Sequence, residues 1–509
     1  MHKATLNRAV KRAQTALPTS PRKRRKVVQK LAIKFSPESF LPPAKRKERA
    51  HINDDVLTDV LNFYERDDIS TQAAGKKDFV IIRENGEKTK VQKRYLNMTI
   101  SEAYSQFKQD FPHGKIGKSK FADLRPKHVC LRSDTPANIC LCVYHENIRL
   151  ILEGLPGMTN STSEFVKEVV CNDGDERCMM QDECSSCSNL KKFDDYVHSL
   201  FDDVLDTEIK YKQWGRAEDD QLTRQSLCDT VENVLELLRS KMRPFLNHVF
   251  IKRIQSTHFK QMKENLPVGT LLIQIDFSEN YSHKVQDEIQ SVYWDTKSSS
   301  LYTAMIYYSR EEDDASVTLQ SKPYVIISNY KNHDKYAVGV FNDALLSHFQ
   351  SSHPDCKVTN IEYQSDGTVQ HFKQKFTLCS VTLQTIPTKW SYSATSHGKG
   401  CIDGIGGSVK RRVSEKVKAQ KLDISTSAEF AKVAKDVCPN INVLYIDREE
   451  IENEKSKLDA MWNPDGQEIK TLPGTRSAHY FETVEPYVIR YAQHAAVDTS
   501  DMGIFSFKG

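Results

Sequence analysis

Seven of the chain's twelve cysteines fall between residues 130 and 187, and no other feature of the sequence restricts the fold as tightly. The spacing is Cys140-x-Cys142-x2-His145, followed by Cys171-x6-Cys178-x5-Cys184-x2-Cys187. The first 30 residues are cationic and lack the apolar run of a secretory signal, so a reducing compartment is expected. There, clustered thiols favour metal ligation over a disulfide framework. A C-x-x-C knuckle lets two thiolates meet one tetrahedral Zn²⁺, and Cys142/His145 has the same two-residue gap. Cys142/His145 with Cys184/Cys187 would make a Cys3His site that staples the two segments together. Cys140, Cys171 and Cys178 would complete a second site or substitute in the first. The flanks Asn172-Asp-Gly-Asp-Glu-Arg177 and Gln181-Asp-Glu183 are too polar for a core of buried reduced thiols. A structural zinc module is therefore expected over residues 130–190, with Cys130 at its edge.

At 509 residues the chain is long enough for two to four domains at roughly 150 residues each. No stretch approaches the ~18 apolar residues of a membrane span, so no membrane partner is expected. The net charge of +4 is unevenly spread. Residues 1–50 hold 15 Lys/Arg against 2 Asp/Glu, a balance of +13, which leaves the other 459 residues at −9. The two basic runs, Pro21-Arg-Lys-Arg-Arg-Lys26 and Lys45-Arg-Lys-Glu-Arg49, read as a disordered arm that directs the chain to the nucleus and grips phosphates.

Residues 51–129 show short helical segments around Val56–Tyr64, Ile100–Phe107 and Ser119–Lys127, with a Gly-bearing turn before the last. This is compatible with helix-turn-helix geometry, and equally with any small helical bundle. Residues 191–266 read as a helical segment. Its stripe from Val231 to Phe250 has three- and four-residue spacing, and Pro244 is expected to kink or break it.

From residue 267 the regime changes. Leu271-Leu-Ile-Gln-Ile275 reads as a buried central strand that runs directly into Asp276. Alternation puts Asp276, Ser278 and Asn280 on one face and Phe277 and Glu279 on the other. Strands follow at 301–308 and 324–328, then a helix over 337–350. A strand at 358–363 delivers Asp366, and a strand at 390–394 leads into a segment with five Gly among residues 398–407, which contains Asp403. Three strands, a helix, two more strands and acids at strand ends are the order of an RNase H-like α/β mixed-sheet core, expected over 267–439. Two Mg²⁺ or Mn²⁺ ions about 4 Å apart need hard oxygen ligands of this kind to clamp a phosphodiester. Residues 440–509 read as a small β-rich appendage. The chain as a whole is thus expected to be a multidomain α+β protein.

The third acid has a rival. Asp403 lies in what reads as a Gly-rich turn, 37 residues after Asp366, and Glu415 follows on a basic helix. On one helix, 12 residues separate the two acids by about 120° and roughly 18 Å, so only one can reach the metals. The glycines lack G-x-G-x-x-G and P-loop spacing, so they are expected to let backbone approach DNA and not to bind a nucleotide.

Asp276-Phe-Ser-Glu-Asn-Tyr281, Ser365-Asp-Gly-x3-His-Phe-Lys373 and Ala394-Thr-Ser-His-Gly-Lys-Gly-x2-Asp-Gly-x-Gly-Gly-x-Val-Lys-Arg411 resemble the blocks of a transposase-like family spread through aquatic animal genomes. Leu124-Arg-Pro-Lys127 and Cys140-x-Cys142-x2-His145 resemble it too, so the likeness runs from about residue 50 to 480. That family is similar to DDE/DDD transposases. The resemblance implies metal-dependent cleavage and strand transfer of DNA, with Asp276, Asp366 and Asp403 as the triad. Lys373, His397, Lys399, Lys410, Arg411 and Arg412 are expected to contact DNA, and a homo-oligomer is expected on the DNA ends. Two other readings stand beside this one: a domesticated zinc-dependent DNA-binding protein that does not cut, and an RNase H-like host nuclease without strand transfer.

Overall fold

A computed structural model describes residues 10–12, 15–35, 53–66, 69–72, 79–84, 87–96, 100–131, 142–159, 161–217, 220–283, 297–311, 316–395, 401–420 and 422–508. Two compact units divide the chain, Met1–Leu57 and Thr58–Gly509. In the first, the basic run expected to be disordered is helical instead, in α1 (Pro21–Phe35). Pro21 occupies the first helical position, where its fixed φ suits the turn and its missing N–H costs nothing, and Lys, Arg, Gln and Leu are strong helix formers.

The second unit begins within α2 (Asp54–Glu65) and continues through β1 (Ser70–Gln72), the hairpin β2 (Phe79–Glu84)–β3 (Glu87–Gln92), β4 (Arg94–Leu96), α3 (Ile100–Asp110), α4 (Lys118–Asp123) and β5 (Val129–Cys130). The region is therefore mixed and not purely helical. Its core is aromatic: Phe63, Tyr64, Phe107 and Phe121 meet with ring centroids 4.7–6.2 Å apart.

Next come α5 (Val143–Gly154), α6 (Thr162–Val169) and α7 (Lys191–Phe201). An antiparallel hairpin, β6 (Glu208–Arg216) and β7 (Leu222–Thr230), interrupts the helical run expected over 191–266. Asn147 of α5 exchanges two hydrogen bonds with the Trp214 backbone, at 2.6 and 3.1 Å, and holds the hairpin against the helices. Then α8 (Val231–Glu264) runs 34 residues, about 51 Å at 1.5 Å per residue, with Pro244 accommodated inside it. Its apolar stripe packs into one core with α5, α6 and α7, as the periodicity leads one to expect.

A nine-stranded mixed sheet dominates the rest, in the order β13-β10-β9-β8-β11-β12-β14-β15-β16. Its strands are β8 (Thr270–Ser282), β9 (Ser298–Glu311), β10 (Val317–Ser328), β11 (Asn360–Ser365), β12 (Thr388–Tyr392), β13 (Asn442–Ile446), β14 (Tyr480–Glu485), β15 (Val488–Ala492) and β16 (Gly503–Ser506). β8, β9 and β10 are antiparallel neighbours, while β11 and β12 run parallel to β8. Residues 440–509, expected as an appendage, join this sheet: β13 extends one edge beside β10, and β14–β16 extend the other beyond β12.

The pleat sorts the side chains. Leu271, Ile273 and Ile275 face a core shared with α9 (Lys335–Ser352), α10 (Lys375–Thr382) and α13 (Arg448–Trp462). The opposite face carries Leu301, Val325 and Ile327 against α11 (Cys401–Gln420) and α12 (Ser427–Val437). Leu272 and Tyr307, on that same face, pack beside Phe259 and Met262 of α8. No described helix is long and apolar enough to cross a membrane.

Candidate metal centres and carboxylate site

The first acids are placed by register. In the parallel pair β8–β11, Gln274 lies opposite Gln364. Asp276 comes two residues after Gln274 within β8, and Asp366 two residues after Gln364, just beyond the end of β11. Both acids are half-buried, but Asp276 lies midway along β8, which continues to Ser282, whereas Asp366 is the first residue past the end of β11. The Asp366 carboxylate accepts from the Thr368 backbone N–H at 3.3 Å and from the Thr368 hydroxyl, which fixes it in a tight turn.

The third acid arrives on a helix. The Gly-rich segment, expected as a turn, is helical from Cys401 onward. Its glycines serve close packing against the sheet: a Cβ on Gly406 would lie 2.5 Å from Ser278 Oγ, 2.8 Å from Ser278 Cβ and 3.3 Å from Thr303 Cγ2. Gly406→Ala is expected to cost ~1–3 kcal/mol through overpacking, with most of it recovered in the double variant with Ser278→Gly; chemical denaturation checks this. Asp403 lies almost one turn before Gly406 and Lys410 about one turn after, on the same side of α11. Lys410 donates to the Glu279 carbonyl at 3.0 Å, and the Asp403 and Glu279 charges partly offset the downward push of burial on its ammonium. Asp403 is half-buried on this stripe and Glu415 is exposed, and the carboxylates of Asp276, Asp366 and Asp403 do not form a set within 4.8 Å of one another.

Aromatic and imidazole side chains surround the strand ends. Phe277 stacks on His333 at 4.1 Å between centroids and meets His371 edge-on at 5.3 Å. Burial pushes His333 down to about 4. It lowers His371 as well, against the opposing pull of Asp366. Burial raises the hydroxyl pKa of Tyr302 and Tyr392, and the nearby charges of Asp276 and Asp366 add to it respectively.

Among the described residues, two sets of three donors have their ligand atoms within 4.8 Å of one another: Cys142, His145 and His248, and Cys171, Cys184 and Cys187. Either could bind a metal such as zinc; neither includes a carboxylate. The donors thus divide differently from the staple expected between Cys142/His145 and Cys184/Cys187. Cys178 hydrogen-bonds with Cys184 and Cys187 beside this set without belonging to it. Backbone N–H donation from Ser186 and contacts with Cys187 and Cys178 lower the Cys184 thiol to about 7, while burial pushes Cys187 up to about 12. Three arginines of α8 brace this module: Arg239 on Asp194, Arg243 on Asp182 and Arg253 on Asp173.

Several expected residues sit elsewhere. Cys140, His397 and Lys399 lie outside the described residues. Lys373, expected on DNA, is buried at 3% exposure and donates to the Arg476 carbonyl at 2.8 Å, so its charge is held inside the protein. Arg411 is half-buried, and Arg412 is exposed with one N–H on the Val437 carbonyl at 3.1 Å. His248 was not expected at all. It sits 103 residues from His145, inside an amphipathic helix, with no local spacing to mark it.

Residues 255–495 match a domain of unknown function (DUF8701), residues 51–133 a second (DUF8699) and residues 138–246 a third (DUF8700). No curated protein and no solved structure matches the chain.

Proposed function

We propose that the chain is a DNA transposase, or a protein derived from one. Asp276, Asp366 and Asp403 hold two Mg²⁺ or Mn²⁺ ions for phosphodiester cleavage and strand transfer. The observation that carries this reading is that the adjacent parallel strands β8 and β11 lead to Asp276 and Asp366, each two residues past the paired Gln274 and Gln364. The strand order β10-β9-β8-β11-β12 supports it, with three antiparallel strands first, helices after β10, β11 and β12, and the last acid on the helix after β12. That is the order of an RNase H-like core, in which each acid is delivered to one edge of the sheet.

The donor chemistry fits hard divalent ions. Asp276 and Asp366 are half-buried and therefore open to solvent and substrate. Bound there, the ions would stabilise the attacking and leaving oxygens of the phosphodiester. The chain's own part is to fix the carboxylates: β8 and β11 by register, Thr368 by hydrogen bonding, and α11 by its glycine contact with Ser278. Neutral His333 and His371 line the same edge without adding charge that would repel the metals. The direct test is incubation of the full chain with duplex DNA carrying the element's own ends. Mg²⁺- or Mn²⁺-dependent nicking and joined products support a transposase. Nicking without joined products would favour an RNase H-like nuclease, and no nicking would favour a DNA-binding protein that no longer cuts.

DNA as partner, a homo-oligomer on paired ends and residence in the nucleus belong to the same proposal. Deleting residues 1–50 removes a local +13. It is expected to abolish nuclear accumulation and to flatten the salt dependence of DNA binding, because released counterions set that slope. Localisation imaging and binding titrations across salt check both.

A further inference from the structure

We infer that Cys142, His145 and His248 hold a Zn²⁺ of their own, separate from any ion held by Cys171, Cys184 and Cys187, and that this ion, by joining α5 to α8, steadies the end of β12 that α8 holds through Gln255. Cys142 is the residue preceding α5, and His145 follows three residues later on the first turn, so both side chains point the same way. His248 comes from the middle of α8, and its Nε2 lies 3.2 Å from Cys142 Sγ. A tetrahedral ion with Zn–S of ~2.3 Å and Zn–N of ~2.0–2.1 Å sets neighbouring donors about 3.5 Å apart, close to this arrangement. Cys142 and His248 are each only 7% exposed. The His145 ring lies edge-on to His248, with centroids 5.1 Å apart. One thiol and two imidazoles are borderline-soft donors, which suit zinc and disfavour magnesium or calcium. Binding releases the Cys142 proton to solvent and keeps both imidazoles neutral.

The position of the site gives it a role. The Thr395 carbonyl, three residues past the end of β12, lies 3.9 Å from Cys142 Sγ. Gln255, two turns beyond His248 on α8, donates to the Tyr392 and His479 carbonyls, both at 2.9 Å. The long helix therefore tracks along β12 and carries His248 to its exit. β12 is the neighbour of the strand that delivers Asp366, with Tyr392 level with Ser365, and the chain leaving it goes on to Asp403. An ion here ties α5 to α8, and α8 holds the end of β12 through the Gln255 hydrogen bond to the Tyr392 carbonyl, so the site steadies the strand beside the one that leads to Asp366. Only the bearing on Asp366 rests on the proposed nuclease function; the metal site does not.

The test is metal analysis of the full chain, purified with zinc present, together with hydrogen exchange of the 388–395 backbone. Two Zn²⁺ per chain are expected. His248→Ala should retain one and exchange faster over 388–395. Cys187→Ser should also retain one, because it empties the other site, and should speed exchange over 388–395 less than His248→Ala does. His248→Cys should restore two and, with Co²⁺ in place of zinc, add thiolate charge-transfer absorption. Two zinc ions retained by His248→Ala would overturn the site, and zinc loss without faster exchange over 388–395 would overturn its positioning role. Asp276→Ala should keep both ions. If that variant still cut DNA, the nuclease reading would fail while the zinc inference stood.

Discussion

If the chain is the proposed nuclease, Asp276→Ala and Asp366→Ala are each expected to lower Mg²⁺-dependent DNA cleavage by ~10³-fold or more, because each would remove a ligand needed to hold the ions that stabilise transition-state charge. DNA affinity stays close to that of the unaltered chain, since phosphate contacts come from lysine and arginine and not from carboxylates. Asp→Asn at either position is nearly as damaging: the shape survives, but the anionic ligand is lost. Asp403→Ala joins this class, because the stripe of α11 that packs on Ser278 also carries Asp403 toward β8. Exposed Glu415, twelve residues further along, is dispensable. Essential Glu415 with dispensable Asp403 would transfer the third role and leave the pair on β8 and β11 in place. Single-turnover cleavage with each variant, alongside a binding titration, separates these outcomes.

Cys187→Ser produces the largest loss of stability. Cys178 and Cys187 belong to the core of α5–α8 and Cys184 packs against it, so emptying the site is expected to loosen the packing of Phe165, Phe193 and Leu238 as well. Structural zinc contributes directly to folding, and a fall in Tm of about 10 °C or more is expected for a loss of that kind. The sign with pH follows from the ligands. Neighbouring N–H and thiol contacts lower Cys184 to about 7 and burial raises Cys187, and metal binding needs the thiolates, so protons compete with the metal increasingly as pH falls. Chelator should therefore strip zinc faster at pH 6 than at pH 8, and thermal melts with and without chelator at the two values measure this. Unchanged melting with metal fully removed would show that the thiols are packing residues.

Local pattern located the acids and missed what depends on distant pairing. The apolar run at 271–275 reads as a buried strand and is one, but the strand continues to Ser282, so Asp276 lies within β8 and not at its end. Asp366, just past the end of β11, was legible. The pairing of β8 with β11 was not, because register between strands 90 residues apart leaves no trace in one sequence. The glycines at 404–407 looked like a turn because their intrinsic helix propensity is poor. The helix forms anyway, since a missing Cβ lets its backbone reach Ser278. The hairpin at 208–230 was hidden by its polar, exposed strands, whose partner contacts run through Asn147 of a different segment. Lys373 read as a phosphate ligand because charge is visible in a sequence and burial is not. His248 shows the same gap: Cys142/His145 was marked by spacing, but its third donor comes from a helix that reads as core.

The central claim is that Asp276, Asp366 and Asp403 are a shared ligand set for two divalent ions. Anomalous diffraction from crystals of the full chain soaked in Mn²⁺ tests it most directly. The account predicts two peaks about 4 Å apart, with Asp276 and Asp366 both ligating and Asp403 touching one of them. Density with no peak at Asp276 and Asp366, or with manganese bound away from both, would contradict it.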